Sequence, residues 1–312
     1  MRWPRVTVTT PQGPCEAVAP LVISASRATD IPALYPEAFL RALRRGHCLW
    51  CNPFNARQRQ YVSFARCRVI VFWSKNPAPL LPCLEEVHQR GYQFYFQYTL
   101  NDYTDTGLEP GLPPLEQRLA TFAALSAHLG AHRVIWRFDP IIMGGGLTPQ
   151  SLLERFTRLG ERLAPLTSRC VFSFVDAYAK SRRSLAALDP TLRPPTPEEM
   201  HCVASGMAEV AKGWNLPLAT CAEAVDMRAL GIAPNRCVDP ELLLRLCPGD
   251  TPLHRACAGA LRGIRDRGQR PACGCAPSKD IGSYNTCTHL CAYCYANHSR
   301  QSVLRHARDG FV

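Results

Sequence analysis

The sequence predicts an α/β fold, a complete or partial (β/α) TIM-like barrel with a C-terminal cysteine-rich cluster-binding extension. Three observations predict it: short apolar β-rich runs, helix-period segments between them, and polar residues gathered just after the runs. The runs are LVISAS (21–26), HCLWC (47–51), RVIVFW (68–73), QFYFQYT (93–99), RVIWRF (133–138), CVFSFV (170–175) and LPLATC (216–221). Amphipathic segments near 34–45, 78–90, 114–129, 149–164 and 196–213 lie between most of them, several opened by Pro or Thr. Continuous apolar strands separated by helices are the pattern of a parallel sheet buried on both faces. A doubly wound open sheet is the alternative. The alternation stops near residue 239, where helical stretches at 240–247 and 252–266 lead into the cysteine-rich tail. Residues 1–238 are therefore read as the barrel, and 239–312 as an extension of the same domain packed on the barrel mouth.

Polar residues follow each run. Arg27, Thr29 and Asp30 come after the first, Asn52 and Asn55 after the second, Ser74, Lys75 and Asn76 after the third, and Asn101 and Asp102 after the fourth. Arg137 and Asp139, then Asp176 and Lys180, then Cys221 and Glu223 continue the pattern. In a parallel barrel these positions share the rim where such folds carry their chemistry. Singly, each could be a helix cap or a loop charge; repetition at strand ends sets the group apart. Arg27, Asp30, Lys75, Arg137, Asp139 and Glu223 are the candidate catalytic residues.

The chain has 46% hydrophobic and 20% charged residues, a composition able to bury a large core. No stretch approaches the roughly 18 apolar residues that span a bilayer, so no membrane association is expected. The only run resembling a secretion signal, 17–25, lacks a compact basic region before it. With sixteen cysteines and no such signal, metal ligands and small buried side chains in a reducing cytoplasm are expected rather than a disulfide framework. The formal charge of +11 would attract polyanions, but the basic residues are scattered, with small groups such as Arg41, Arg44 and Arg45, or Arg262, Arg265 and Arg267.

The segment NTCTHLCAYCYAN sets Cys287, Cys291 and Cys294 in a C-x3-C-x2-C array with Tyr293 before the last cysteine. Three thiolates on one short loop can cap three irons of a four-iron cluster, leaving the fourth iron open to a small chelating molecule. An open iron lets a cluster do chemistry beyond carrying electrons.

These residues resemble the radical S-adenosylmethionine superfamily, whose hallmark is this spacing, commonly with an aromatic residue before the last cysteine. The resemblance implies a 4Fe-4S cluster that chelates S-adenosylmethionine and cleaves it reductively to a 5′-deoxyadenosyl radical, fed by an electron donor such as flavodoxin or ferredoxin. Two departures stand out. The superfamily usually carries the loop after the first barrel strand, whereas here it lies near the C-terminal end. The usual Gly-Gly-Glu strand end is also missing, since Gly144, Gly145 and Gly146 precede Leu147. Almost the whole chain is further similar to an uncharacterised domain-of-unknown-function family grouped with these enzymes, through ISASRATDIP (23–32), FWSKNP (72–77), RFDPI (137–141), CAE (221–223), CVD (237–239), CGC, SKDIGSYNTC and CAYCYAN. The candidates for holding the cosubstrate are Asn76, Lys279, Asp280 and Tyr293.

Cys273 and Cys275 as C-x-C, with Cys221 and Cys237, would complete a second four-iron cluster; in the alternative, Cys221 and Cys237 are small core residues. A different function class uses Cys273, Cys275, Cys291 and Cys294 as a zinc site in a nucleic-acid-binding protein, which leaves Cys287 without a role. A third is a metal-dependent hydrolase or isomerase on Asp30, Asp139, Asp176 and Glu223, weakened by the few histidines at the strand ends. The aromatic rim residues Trp73, Tyr98, Trp136 and Tyr178 are compatible with a small-molecule, peptide or nucleic-acid substrate.

Overall fold

The computed structural model describes residues 3–307 apart from 177, 265–269 and 271. Strands β1 (Arg5–Thr10) and β2 (Gly13–Val18) form a hairpin, and β3 (Val22–Ala25) follows. The short helix α1 (Ile31–Leu34) is capped by the Asp30 carboxylate, which accepts from Ala33 N. Helix α2 (Pro36–Arg45) starts on Pro36, buries Phe39, Leu40 and Leu43 along one face, and stops at Gly46 with φ +85°. Then come β4 (His47–Asn52), β5 (Asn55–Ser63), β6 (Val69–Ser74), α3 (Leu84–Gln89), β7 (Gln93–Thr99), α4 (Leu115–Leu129) and β8 (Val134–Ile141). Helices α5 (Pro149–Leu163) and α7 (Pro197–Gly213) each begin with a threonine capping box and a proline in the first turn. Between them lie β9 (Cys170–Phe174) and α6 (Ala179–Leu188). The chain continues through β10 (Leu218–Thr220), β11 (Ala233–Pro234), α8 (Pro240–Leu246), α9 (Thr251–Leu261), β12 (Lys279–Asp280) and α10 (Arg300–His306).

The strands make two sheets. The larger has eight strands in the order β11-β10-β9-β8-β7-β6-β3-β12, every neighbouring pair parallel. The chain is thus an α/β fold with an eight-stranded parallel sheet, consistent with a partial Rossmann- or TIM-like fold. The order is sequential except that the last strand returns to lie beside the first.

The smaller sheet, β1-β2-β5-β4, corrects the sequence-based placement of HCLWC. That run is β4, antiparallel to β5, and Asn52 and Asn55 bound a hairpin turn in which Phe54 N donates to Asn52 Oδ1 (2.9 Å). They are not on the parallel rim. High β-propensity marks a strand without saying which sheet it joins. The segment after 239, read as an extension of the same domain, supplies β12, with Lys279 opposite Ile23 and Asp280 opposite Ser24. Helix α9 ends at Leu261; the rest of the predicted 252–266 helix lies partly, and Arg265 and Arg267 entirely, outside the described residues.

Successive side chains along a strand face opposite ways, so the parallel strands feed two cores. Ile23, Ile70, Phe72, Phe94, Phe96, Trp136 and Phe172 pack with the helices, among them Phe39 of α2, Phe122 of α4, Phe156 of α5 and Met207 of α7. Val22, Val69, Val71, Tyr95, Ile135 and Val171 form the other core, closed by Leu242, Leu243 and Leu253 of α8 and α9. Each such side chain contributes about 1.5–3 kcal/mol by leaving water. On this second face, toward the strand C-terminal ends, the apolar residues give way to Ser24, Trp73, Gln97 and Arg137.

Candidate active site at the strand ends

The loop after β12 carries Cys287, Cys291 and Cys294, and the parallel topology brings it over the C-terminal ends of β3, β6 and β7. Two carboxylates, the buried Asp30 and the half-buried Asp280, clasp it from below. Asp280 accepts from Ser24 Oγ (2.8 Å) and Arg27 N (2.9 Å) through Oδ2, and from Gly282 N (2.9 Å) through Oδ1. Asp30 accepts from Lys75 N (2.7 Å) and meets His289 Nε2 (2.9 Å) through Oδ2, while Oδ1 caps α1. Tyr35 Oη donates to Thr286 O (2.6 Å), and Asn297 Nδ2 to Cys287 O (2.8 Å). Leu290, at φ +54°, turns the chain sharply between Cys287 and Cys291, a conformation that costs a leucine about 1–2 kcal/mol.

The long segment after β7 grips the loop from the side. Gly111 N donates to His289 O (3.0 Å) and Ala292 N to Leu108 O (2.9 Å). Glu109, buried, accepts from the Tyr293 hydroxyl and from Lys75 Nζ (2.8 Å). Lys75 and Arg118 hold the Glu109 carboxyl below its usual range against the opposing effect of burial. Burial and the neighbouring Asp30 push the Cys287 thiol up to about 12, and burial sends Cys291 well above the ordinary thiol range although Lys75 pulls it down. Cys287 and Cys291 of the metal-free loop are therefore neutral thiols, which must lose protons when a metal binds.

Beside the loop, the guanidinium groups of Arg27 and Arg137 stand over the Trp73 ring, 4.9 and 5.3 Å from its centroid. Among the described residues, Arg27 Nη2 and Trp73 Nε1 are buried without a hydrogen-bond partner, and such donors call for an acceptor. Arg137 bonds Asp139 Oδ2 through Nε (3.0 Å) and Nη2 (2.6 Å), and reaches Gln97 Oε1 (3.2 Å) and Cys237 Sγ (3.0 Å) through Nη1. Asp139 also accepts from Ser173. Glu223 Oε1 accepts from Phe174 N (3.1 Å), and burial pushes its carboxyl up to about 7. Asn76 sits in the turn after β6, its N–H on Ser74 Oγ (3.0 Å).

A second group of cysteines forms on the far side of Arg137. Cys221 Sγ lies 3.2 Å from Cys237 Sγ, and Cys275 Sγ accepts from the N–H of Val238 (3.2 Å), the residue after Cys237. Cys273 and Cys275 thus join Cys221 and Cys237, while Cys291 neighbours Cys287 and Cys294. Among the described residues no group of three or more His, Cys, Asp or Glu is set to hold a single metal ion.

The topology brings Arg27, Lys75, Asn76, Arg137, Asp139, Glu223, Tyr293 and all seven cysteines to one end of the sheet. Asp30 and Asp280 arrive there too, as clasps whose oxygens are already engaged. Lys279 does not. It sits on the opposite face of β12 from Asp280, its ammonium 3.2 Å from the Trp50 ring centroid on β4. Burial pulls Lys279 down to about 8, with Asp280 and Cys48 opposing. Its proton leaves near pH 8 in the folded chain and near 10.4 in the unfolded one. Between these values the unfolded state binds more protons, so folded stability rises with pH. Urea unfolding at pH 7.5 and pH 10 should therefore show wild type gaining on Lys279→Met at the higher pH; a constant gap would refute the burial.

Glu109 and His289 escaped the sequence reading. The one signal for Glu109 is the length of the segment from 100 to 114, long for a connection in such a fold. His289 lies inside the cysteine array, where spacing draws the eye only to the sulfurs.

The sequence profile of the family described as Domain of unknown function (DUF1848) matches residues 22–296. The chain belongs to the DUF1848 family. The match opens on β3 and closes just past Cys294 and Tyr295, so what defines a DUF1848 domain here is the parallel sheet with its cysteine loop, without the β1–β2 hairpin. No curated protein matches the sequence. Among solved structures, this DUF1848 chain is similar to a "putative alpha-L-fucosidase" from Bacteroides thetaiotaomicron, at 11% identity and a TM-score of 0.28, over 78% of this chain and 82% of the other. No helix among the described residues is long and apolar enough to cross a membrane.

Proposed function

We propose that this DUF1848 protein is a radical S-adenosylmethionine enzyme built on a partial (β/α) barrel and working in the reducing cytoplasm. The observation that carries the reading is the seat of the cysteine loop, with three neighbouring thiols over the C-terminal ends of a parallel sheet. Because β12 lies beside β3, a loop near the end of the chain occupies the same neighbourhood as one following the first strand.

The donor set fits the group. Cys287, Cys291 and Cys294 would hold three irons of a 4Fe-4S cluster, and the unpartnered Arg27 Nη2 suits the carboxylate of S-adenosylmethionine. When bound, the cluster supplies one electron, received from a flavodoxin- or ferredoxin-like donor, that splits S-adenosylmethionine into methionine and a 5′-deoxyadenosyl radical able to take hydrogen from a substrate. The chain itself supplies position and shelter. Glu109 fixes Tyr293 and Lys75 beside Cys291, and Asp30 fixes His289. The Lys75 ammonium offsets the negative charge that the thiolates bring. Trp73 and the two arginines keep the adjoining space dry and positively charged.

The test is anaerobic purification, an iron and sulfide count, and mass spectrometric detection of 5′-deoxyadenosine after dithionite and S-adenosylmethionine are added. We expect cluster-bound iron, and 5′-deoxyadenosine that falls at least about 100-fold, or about 2.7 kcal/mol in barrier, in Cys291→Ala. A protein that stays colourless and binds zinc after reconstitution with iron and sulfide would refute the reading.

A further inference from the structure

Cys221, Cys237, Cys273 and Cys275 come from three separate stretches of chain, after β10, after β11 and before β12, yet they meet in one place, Cys237 and Cys275 buried and the other two half-buried. Cys237 is 2% and Cys275 4% exposed. The Cys221–Cys237 sulfur separation of 3.2 Å is far beyond the roughly 2.05 Å of a disulfide. What surrounds the sulfurs is more informative. Arg137 Nη1 (3.0 Å) and Asn235 Nδ2 (3.1 Å) donate to Cys237 Sγ, and Val238 N donates to Cys275 Sγ (3.2 Å). Arg270 Nη2 approaches Cys221 Sγ at 4.0 Å. A neutral thiol is a weak acceptor, and small buried core cysteines do not collect N–H donors and arginines. A set of thiolates does, because donors and positive charge offset the cost of burying them.

We infer that these four cysteines hold a second iron–sulfur cluster. Delivered preformed on carrier thiolates, the cluster gives up one carrier Fe–S bond for each bond to these cysteines, the cysteine proton passing to the departing carrier thiolate, with no net oxidation. The 3.2 Å contact of Cys221 with Cys237 and the Val238 N–Cys275 Sγ bond gather the sulfurs at one place, from which a four-iron cluster would draw them apart onto its corners. Four protein thiolates leave no iron open, so this centre stores or passes electrons and does not grip a substrate. Arg137, which touches Cys237 and stands over Trp73 with Arg27, lies between it and the first loop.

The inference is independent of the first cluster, and the variants keep the two apart. Wild type should hold about eight irons, and Cys287→Ser/Cys291→Ser/Cys294→Ser about four, with a cluster signal in electron paramagnetic resonance after reduction. Cys237→Ser/Cys275→Ser should lose the complementary four. A triad variant that is folded by circular dichroism yet holds less than one iron, or holds one zinc, overturns the second cluster whatever the fate of the first. Wild type provides a check that needs no variant. Cys221, Cys237, Cys273 and Cys275 should resist alkylation under anaerobic conditions until an iron chelator is added, and modification before chelation counts against the proposal.

Discussion

Replacing Asp30 by alanine is expected to cost about 3–5 kcal/mol of stability and to set the cysteine loop free of β6. The carboxylate is 6% exposed and serves three donors from three places: Ala33 N on α1, Lys75 N at the end of β6, and His289 between the first two cysteines. Alanine leaves all three without an acceptor in a buried site, at about 1–3 kcal/mol for each lost bond before relaxation. Asp30→Asn keeps the shape and one acceptor oxygen and should lose less. Urea unfolding of the metal-free protein gives the size of the effect, and the rate of iron loss to a chelator gives its consequence for the loop. A loss under about 1 kcal/mol in Asp30→Ala would mean that the loop is held by other contacts.

Gly111→Ala should do comparable damage from the other side. A Cβ at Gly111 would lie 2.6 Å from Thr288 O and 2.7 Å from both His289 Cα and His289 O. These are backbone atoms between Cys287 and Cys291, and they cannot swing aside as a side-chain tip could. Overpacking of this kind costs about 1–3 kcal/mol, and here relief comes only by lifting the loop that presents the thiols. The same residue donates its N–H to His289 O, so lifting also lengthens a backbone hydrogen bond. The expected result is a lower midpoint of thermal unfolding together with reduced iron retention. Full iron content at an unchanged midpoint would show that the close approach is not needed.

The parts of this molecule legible in the sequence are those whose cause is local. Runs such as RVIVFW and QFYFQYT read as β6 and β7 because a parallel strand is apolar on both faces, and Thr148 and Thr196 announce α5 and α7 through their caps. The cysteines were visible as spacing. β11 and β12, two residues each, are too short for any periodicity, and Lys279-Asp280 reads as a charged turn until pairing with Ile23 and Ser24 makes it a strand. β5, with NARQRQ in its first six residues, carries no apolar alternation. Glu109 and His289 were missed because their roles are defined by partners 184 and 259 residues away, Tyr293 and Asp30, and no local pattern encodes such a pairing.

The return of β12 to the side of β3 also sets an order of events during synthesis. Ser24 and Asp280 are 256 residues apart, and so the first strand of the parallel sheet leaves the ribosome long before its partner exists. The contacts of the cysteine loop with Asp30, Tyr35, Leu108 and Gly111 reach back across the chain in this way, which makes the loop a late, high-contact-order addition to a body already formed. Its three thiols acquire their seat last. A chain stalled before residue 279 could complete most of the sheet and its helices and still lack the three-cysteine loop that an assembly factor would fill.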